Sequence, residues 1–300
     1  VSRIAYVNGQ YLPQDQAMVP IEDRGYQFSD GVYEVCEVFD GALIDESHHM
    51  ARLARSLGEL RIAAPLADGA LSIVLQEVMR RNHLANGFLY LQVTRGVAPR
   101  DHGFPQKPVK PSLVVTAKSV DPAKGETLAR KGVAIATTAD IRWKRVDIKT
   151  VSLLPNVLAK QEAREKGCFE AWLIDEAGFI TEGASSNAWI VNAEGRIVTR
   201  PADAGILRGV TRTTLLNLIA ELQLPVEERA FSLAEALAAK EAFVTAATTL
   251  IMPVVTIDGH SIGDGRPGPI VERLRSLFHA AAEKTKRVSA LKKSNSSDPL

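Results

Sequence analysis

Apolar residues in this chain alternate with polar ones in some stretches and recur every three or four positions in others. The two periods divide it into strands and helices. Residues 4–12 (IAYVNGQYL) predict two short strands about an Asn8-Gly9 turn, and 32–44 (VYEVCEVFDGALI) repeat the device around Asp40-Gly41. From Asp45 to Arg61 the period lengthens. Met50, Leu53, Leu57 and Leu60 mark one face of a helix with Asp45 or Ser47 as its N-cap. A second helix is expected over 68–82, carried by Leu71, Val74, Leu75 and Val78. LYLQVTRGV (89–97) and SLVVTAKSV (112–120) read as strands flanking a Pro- and Gly-rich loop at 98–108. Further on come a strand at 133–139, a strand or loop at 146–152, and a helix at 155–167 with Pro155 near its start and Gly167 at its end. Strands follow at 169–175, 179–182 and 186–192. A helix at 211–223 lies behind Gly205 and Gly209, and a short helix near 232–240 leads into a strand at 241–246.

Pro122 and Gly125 interrupt the pattern and suggest a junction at 121–127. The reading is an α+β protein of two domains, a smaller α/β one over 1–120 and a larger one over 128–280. Residues 281–300 are polar and basic, the composition of a disordered tail. With 36 Lys and Arg against 35 Asp and Glu, the net charge is +1, so no general field draws nucleic acid or an anionic membrane. No apolar run approaches the ~18–20 residues of a spanning helix. Two cysteines, Cys36 and Cys168, make no disulfide framework and join no metal-type cluster. The N-terminal residues lack the build of a signal peptide. A cytoplasmic protein without a metal is the expectation.

Several residues could carry chemistry. If 146–152 is extended, Asp147, Lys149 and Val151 share one face. A lysine beside apolar neighbours loses hydration and becomes a base or Schiff-base nucleophile; otherwise it snorkels to solvent. Glu182, closing a strand before Gly-Ala-Ser-Ser-Asn, is either an exposed turn residue or a partner for a cationic ring nitrogen. Ser185 and Ser186 lack the spacing of a nucleophile elbow. Gly209, Val210 and Thr211 stand where a loop enters a helix, either a phosphate cradle or a Thr-capped structural start. Arg52 lies off its helix's apolar stripe and either pairs with a phosphate or faces water. Arg100 and His102 can offer two donors to a carboxylate or be loop filler. His48 and His49, adjacent on a helix, diverge too much to share a metal.

Taken together, RGYQFSDGVYEV (24–35), HHMARLARS (48–56), RGVAPRDHGFP (95–105), DIKTVSLLPNVLAKQEAREKGCFEA (147–171), ITEGASSN (180–187) and LRGVTR (207–212) resemble the class IV, fold-type-IV pyridoxal-phosphate-dependent aminotransferases, specifically their D-amino acid transaminase branch. The resemblance covers about residues 4–278. It implies a C-terminal pseudo-barrel domain that binds pyridoxal 5'-phosphate, and a ping-pong transfer of the amino group of a D-amino acid such as D-alanine to a 2-oxo acid such as 2-oxoglutarate. It implies that Lys149 carries the cofactor as a Schiff base and moves the proton, and that Glu182 meets the pyridine nitrogen. Arg52, Val210 and Thr211, with Ala247 and Thr248, would hold the phosphate. Tyr33, Arg100 and His102 would hold the substrate carboxylate, the latter two from the partner subunit of a homodimer. Branched-chain L-amino acid transaminases and aminodeoxychorismate lyase share the fold, and a cofactor-binding protein without turnover is a rival from another class. The chain departs from the branch at Ala246-Ala247-Thr248, where a Ser-Thr-Thr run supplies hydroxyls. It departs again at Glu37, which on a regular strand would share the Tyr33 face and disfavour acidic substrates.

Overall fold

The computed structural model describes residues 3–67 and 69–286. Its frame is two sheets. The first has seven strands, all paired antiparallel. Their order is Lys284–Lys286, Ala42–Ile44, Gly31–Phe39, Gly87–Thr94, Ser112–Ser119, Ile4–Val7 and Gln10–Pro13. The Asn8-Gly9 and Asp40-Gly41 corners have positive φ at both residues, the geometry that matches a two-residue turn to the twist of its strands. Helices Glu46–Glu59 and Ala70–Arg81 close one face: Leu53, Leu57, Val74, Leu75 and Val78 pack on Val38, Leu89, Leu91 and Val115. These are the positions whose helical spacing announced the stripe, and their burial drives the docking.

The second sheet is mixed. Its main path runs Val226–Glu228, Ile197–Thr199, Asn187–Val191, Glu241–Ala246, Leu250–Ile257, Val133–Ala139, Glu170–Ile174, Phe179–Gly183 and Phe231–Ser232. Helices Val210–Glu221 and Pro269–Ala281 share one core with it through Leu215, Leu218, Ile219, Val271, Leu274 and Phe278. Helix Leu154–Glu165 packs by small side chains, Ala159 and Ala163 against Ala136, Ala171 and Ala184. This is an α+β architecture of two sheets.

Four segments differ from the sequence expectation. The expected junction 121–127 is helical, the start of helix Pro122–Lys131 between strand Ser112–Ser119 of the first sheet and strand Val133–Ala139 of the second: Asp121 caps it by accepting from Ala123 N at 3.0 Å, and Pro122 takes the first turn, where a missing N–H costs nothing. Residues 284–286, within the stretch read as a tail, form a strand on Ala42–Ile44; residues 287–300 lie outside the described part. Strand Leu250–Ile257 and helix Pro269–Ala281 have no counterpart in the sequence reading, masked by Pro253 and by the glycines between them. Among the described residues no helix is long and apolar enough to cross a membrane.

Candidate active site

Residues 146–152 are a bent loop rather than a strand, but the alternation of faces survives: Ile148 and Thr150 are buried, Asp147 and Lys149 half-buried. The loop is pinned along Gly31–Phe39. Tyr33 N donates to Lys149 O at 3.0 Å, Val151 N to Gly31 O at 3.1 Å, and Lys149 N to the Ser56 hydroxyl at 3.3 Å. Ile148 is anchored in the core of the first sheet. Backbone and neighbour together aim the lysine, and its Nζ sits 4.3 Å from the centroid of the Tyr33 ring. Both side chains line a cavity of about 250 Å3 between the sheets.

Glu182 is in the same wall. It is 4% exposed, near the end of strand Phe179–Gly183. Arg142 donates to its Oε1, Asn187 Nδ2 to Oε2 at 2.9 Å, and Leu207 N to both oxygens at 3.1 and 3.2 Å. Burial pushes this carboxyl above its ordinary value, while Arg142, the Leu207 amide and Lys149 pull it back. Arg142 is in turn held by Asp140, with Nη2 to Oδ2 at 2.7 Å and Nε to Oδ1 at 2.9 Å.

A third part of the wall favours an anion. Gly209 leads into helix Val210–Glu221, whose first amides point out of the helix without an internal acceptor. A Cβ on Gly209 would stand 2.1 Å from Asn187 Oδ1, so glycine lets this helix start approach the residue that holds Glu182. Arg52 also lines the cavity. Its Nε and Nη2 donate to Glu34 at 2.7 Å each and its Nη1 to Arg208 O at 3.0 Å, with N–H bonds to spare. Glu34 is fully buried and would be pushed up, but Arg52 and His49 outweigh this and hold it down to about 2. Ala247 and Thr248 complete this part of the wall. A flat ring with an anionic arm fits these groups: an amine, a buried carboxylate that accepts, and a cradle of main-chain amides that donate.

Lys149, Glu182, Arg52, Tyr33, Val210, Thr211, Ala247 and Thr248 are thus brought together. Arg100 and His102 are not: both are exposed and stand near the ring of Phe28, at 4.7 and 5.5 Å. The Ser185 and Ser186 hydroxyls donate to Glu170 at 2.6 and 3.2 Å and serve its buried carboxylate. Glu37 shares the Tyr33 face, as the strand's alternation predicts, but does not line the cavity. It lies in a separate groove, and His279 Nε2 occupies its carboxylate at 3.1 Å, because the long strand carries it past the cavity mouth. His48 is exposed while His49 is buried on Glu34 at 2.7 Å. Sequence reasoning missed Arg142 and Glu34. Only the alternation of Glu34 with Tyr33 hinted that a carboxylate faced inward.

The model of the amino-transferase class IV family matches residues 31–257. D-alanine aminotransferase of Bacillus licheniformis is 42% identical over 276 residues, 90% of this chain and 94% of that protein. The Staphylococcus haemolyticus D-alanine aminotransferase is 38% identical over 279 residues, 93% and 97% of the two chains. Among solved structures, a T.th. branched-chain amino acid aminotransferase with pyridoxamine 5'-phosphate superposes with a TM-score of 0.85 at 26% identity, covering 93% of each chain. A family match over most of the chain, around a cavity with an amine and a buried carboxylate in its wall, leads to one conclusion: this chain belongs to the class IV aminotransferases, enzymes that work with pyridoxal phosphate.

Proposed function

We propose that the protein moves the amino group of a small D-amino acid, D-alanine or a similar one, to a 2-oxo acid such as 2-oxoglutarate in two half-reactions at one site. The observation that carries the reading is the pairing of Lys149 with buried Glu182 in the wall of one cavity. The similarity to D-alanine aminotransferases supports the choice of hand and substrate. When bound, pyridoxal phosphate supplies an electrophilic aldehyde carbon and an electron-withdrawing ring. Lys149 is the point of attachment, and its Nζ takes and returns the substrate proton. Glu182, shielded from water and backed by Arg142, holds a proton on the ring nitrogen. Arg52, the amides of Val210 and Thr211, and the turn at Ala247-Thr248 bind the phosphate.

Tyr33 holds the substrate carboxylate together with the partner subunit's Arg100 and the partner subunit's His102. Both stand outside the cavity of their own chain, so the reading requires a homodimer. Large apolar side chains exposed at Ile21, Tyr26, Phe104, Ile141, Leu154 and Val157 supply surface for a second copy to cover. Two free cysteines suit a cytoplasmic setting.

The test is spectroscopic. Protein loaded with pyridoxal phosphate should lose its lysine-bound absorption band with D-alanine and keep it with L-alanine. Bleaching by L-leucine but not D-alanine would replace this reading with a branched-chain L-transaminase. Pyruvate release without an oxo-acid acceptor would replace it with a lyase.

A further inference from the structure

Ala246, Ala247 and Thr248 stand in the cavity wall with Val210 and Thr211. They form the tip of the hairpin between Glu241–Ala246 and Leu250–Ile257. Thr249 N donates to Ala246 O at 3.2 Å, and Ala246 pairs with Leu250 in the ladder. A three-residue loop of this kind closes on a residue in the left-handed region, for which glycine is suited. Here that residue is Leu250, at φ +55°. A leucine keeps this conformation only where its surroundings impose it. Its side chain is fixed in the core with Val271, Leu274 and Phe278.

Its backbone is fixed by a different group. Arg275, on helix Pro269–Ala281, donates through Nη1 to Thr249 O at 3.0 Å and to Ile251 O at 2.7 Å, the carbonyls on either side of Leu250. Its Nη2 is held by Glu126 of helix Pro122–Lys131 at 2.7 Å. Arg275 lines the groove on the other side of the turn and is absent from the wall of the Lys149 cavity. The Thr249 hydroxyl is buried without a partner among the described residues, so it does not brace the turn.

Alanine has no donor in its side chain, so what the turn offers at 246 and 247 is main chain. Main-chain donors are only as well aimed as the backbone that carries them. The amides of Ala247 and Thr248 have no acceptor among the described residues. We propose that Arg275 is a positioning residue for the anionic end of the cofactor site. It staples the strained turn from behind and keeps those two amides presented to the phosphate. The inference rests on the reading above, in which this turn meets the phosphate.

The experiment titrates apoprotein, wild type and Arg275→Met, with pyridoxal phosphate and with pyridoxal, which has the same ring and aldehyde but no phosphate. The readout is the lysine-bound absorption band. Arg275→Met is expected to raise the dissociation constant for pyridoxal phosphate about tenfold and to leave that for pyridoxal within about twofold. Glu126→Gln, which alters only the exposed partner of the staple, should shift pyridoxal phosphate the same way by a smaller factor. Unchanged affinity for pyridoxal phosphate in both variants overturns the proposal. So does a parallel loss of both ligands, which would make Arg275 a general brace of the fold. Wild-type protein that forms no lysine-bound band with either ligand would instead sink the proposed function, and the staple's role with it.

Discussion

Arg142 donates to the carboxylate of Glu182 inside the wall that also carries Lys149, and Asp140 holds the same guanidinium from its other side. Burial and the arginine pull Glu182 in opposite directions. Burial alone would favour its neutral form, and the adjacent positive charge opposes that.

Arg142→Met should therefore move the acid limb of the D-alanine half-reaction to higher pH. With its lowering partner gone, the buried carboxyl takes up a proton at a higher pH than before, and protonated Glu182 no longer serves the ring nitrogen. The pH–rate profile of the half-reaction checks this. An unmoved acid limb would show that Arg142 is only a scaffold.

Glu182→Gln keeps the shape but cannot carry the charge that holds a ring proton. We expect the half-reaction to slow by about 10²–10⁴-fold while the lysine-bound absorption band persists. Lys149→Ala, by contrast, should abolish that band altogether.

Glu34 is held down to about 2 from an ordinary value of 4.5 by Arg52 and His49, against the opposing effect of its burial. Its contribution to stability is thus complete above pH 4.5 and is lost as the pH falls towards 2. Glu34→Gln leaves Arg52 buried without its countercharge and should cost about 3–5 kcal/mol near neutrality. Denaturant unfolding of both proteins across this range should show the difference narrowing as the pH falls.

Mixing Lys149→Ala and Arg100→Ala subunits tests whether the site is shared. Each homodimer should be severely impaired. A random mixture should recover up to about a quarter of the wild-type rate, because half the dimers are mixed and each of those has one intact site. No recovery would place the working Arg100 in the same chain as Lys149.

Glu37 is tied to His279 in the neighbouring groove. Glu37→Ala should leave the ratio of specificity constants for D-glutamate and D-alanine within about twofold of wild type. A marked gain for D-glutamate would return Glu37 to the substrate site.

Much of the architecture could be read from local pattern. The stripe Leu53, Leu57, Val74, Leu75 and Val78, the turns at Asn8-Gly9 and Asp40-Gly41, and the strands at 133–139 and 241–246 are all signalled by neighbours within a few residues. The helix that starts within 121–127 is not legible, because Asp-Pro, which interrupts a pattern, is also how a helix begins. Strand Leu250–Ile257 is hidden by Pro253.

For the site the division is sharper. Lys149, Glu182, Arg52, Val210 and Thr211 can each be named from the sequence, but every one has a structural alternative, and only the family resemblance joins them into one site. Tertiary structure alone decided that Arg142 backs Glu182, that Glu34 takes much of Arg52, that Glu37 turns to His279, and that Arg275 reaches the carbonyls around Leu250. Local pattern is written by the energetics of adjacent residues. These pairings join groups far apart in the chain, and they exist only because packing two sheets against their helices brings such charges within hydrogen-bonding range while excluding the water that would otherwise satisfy them.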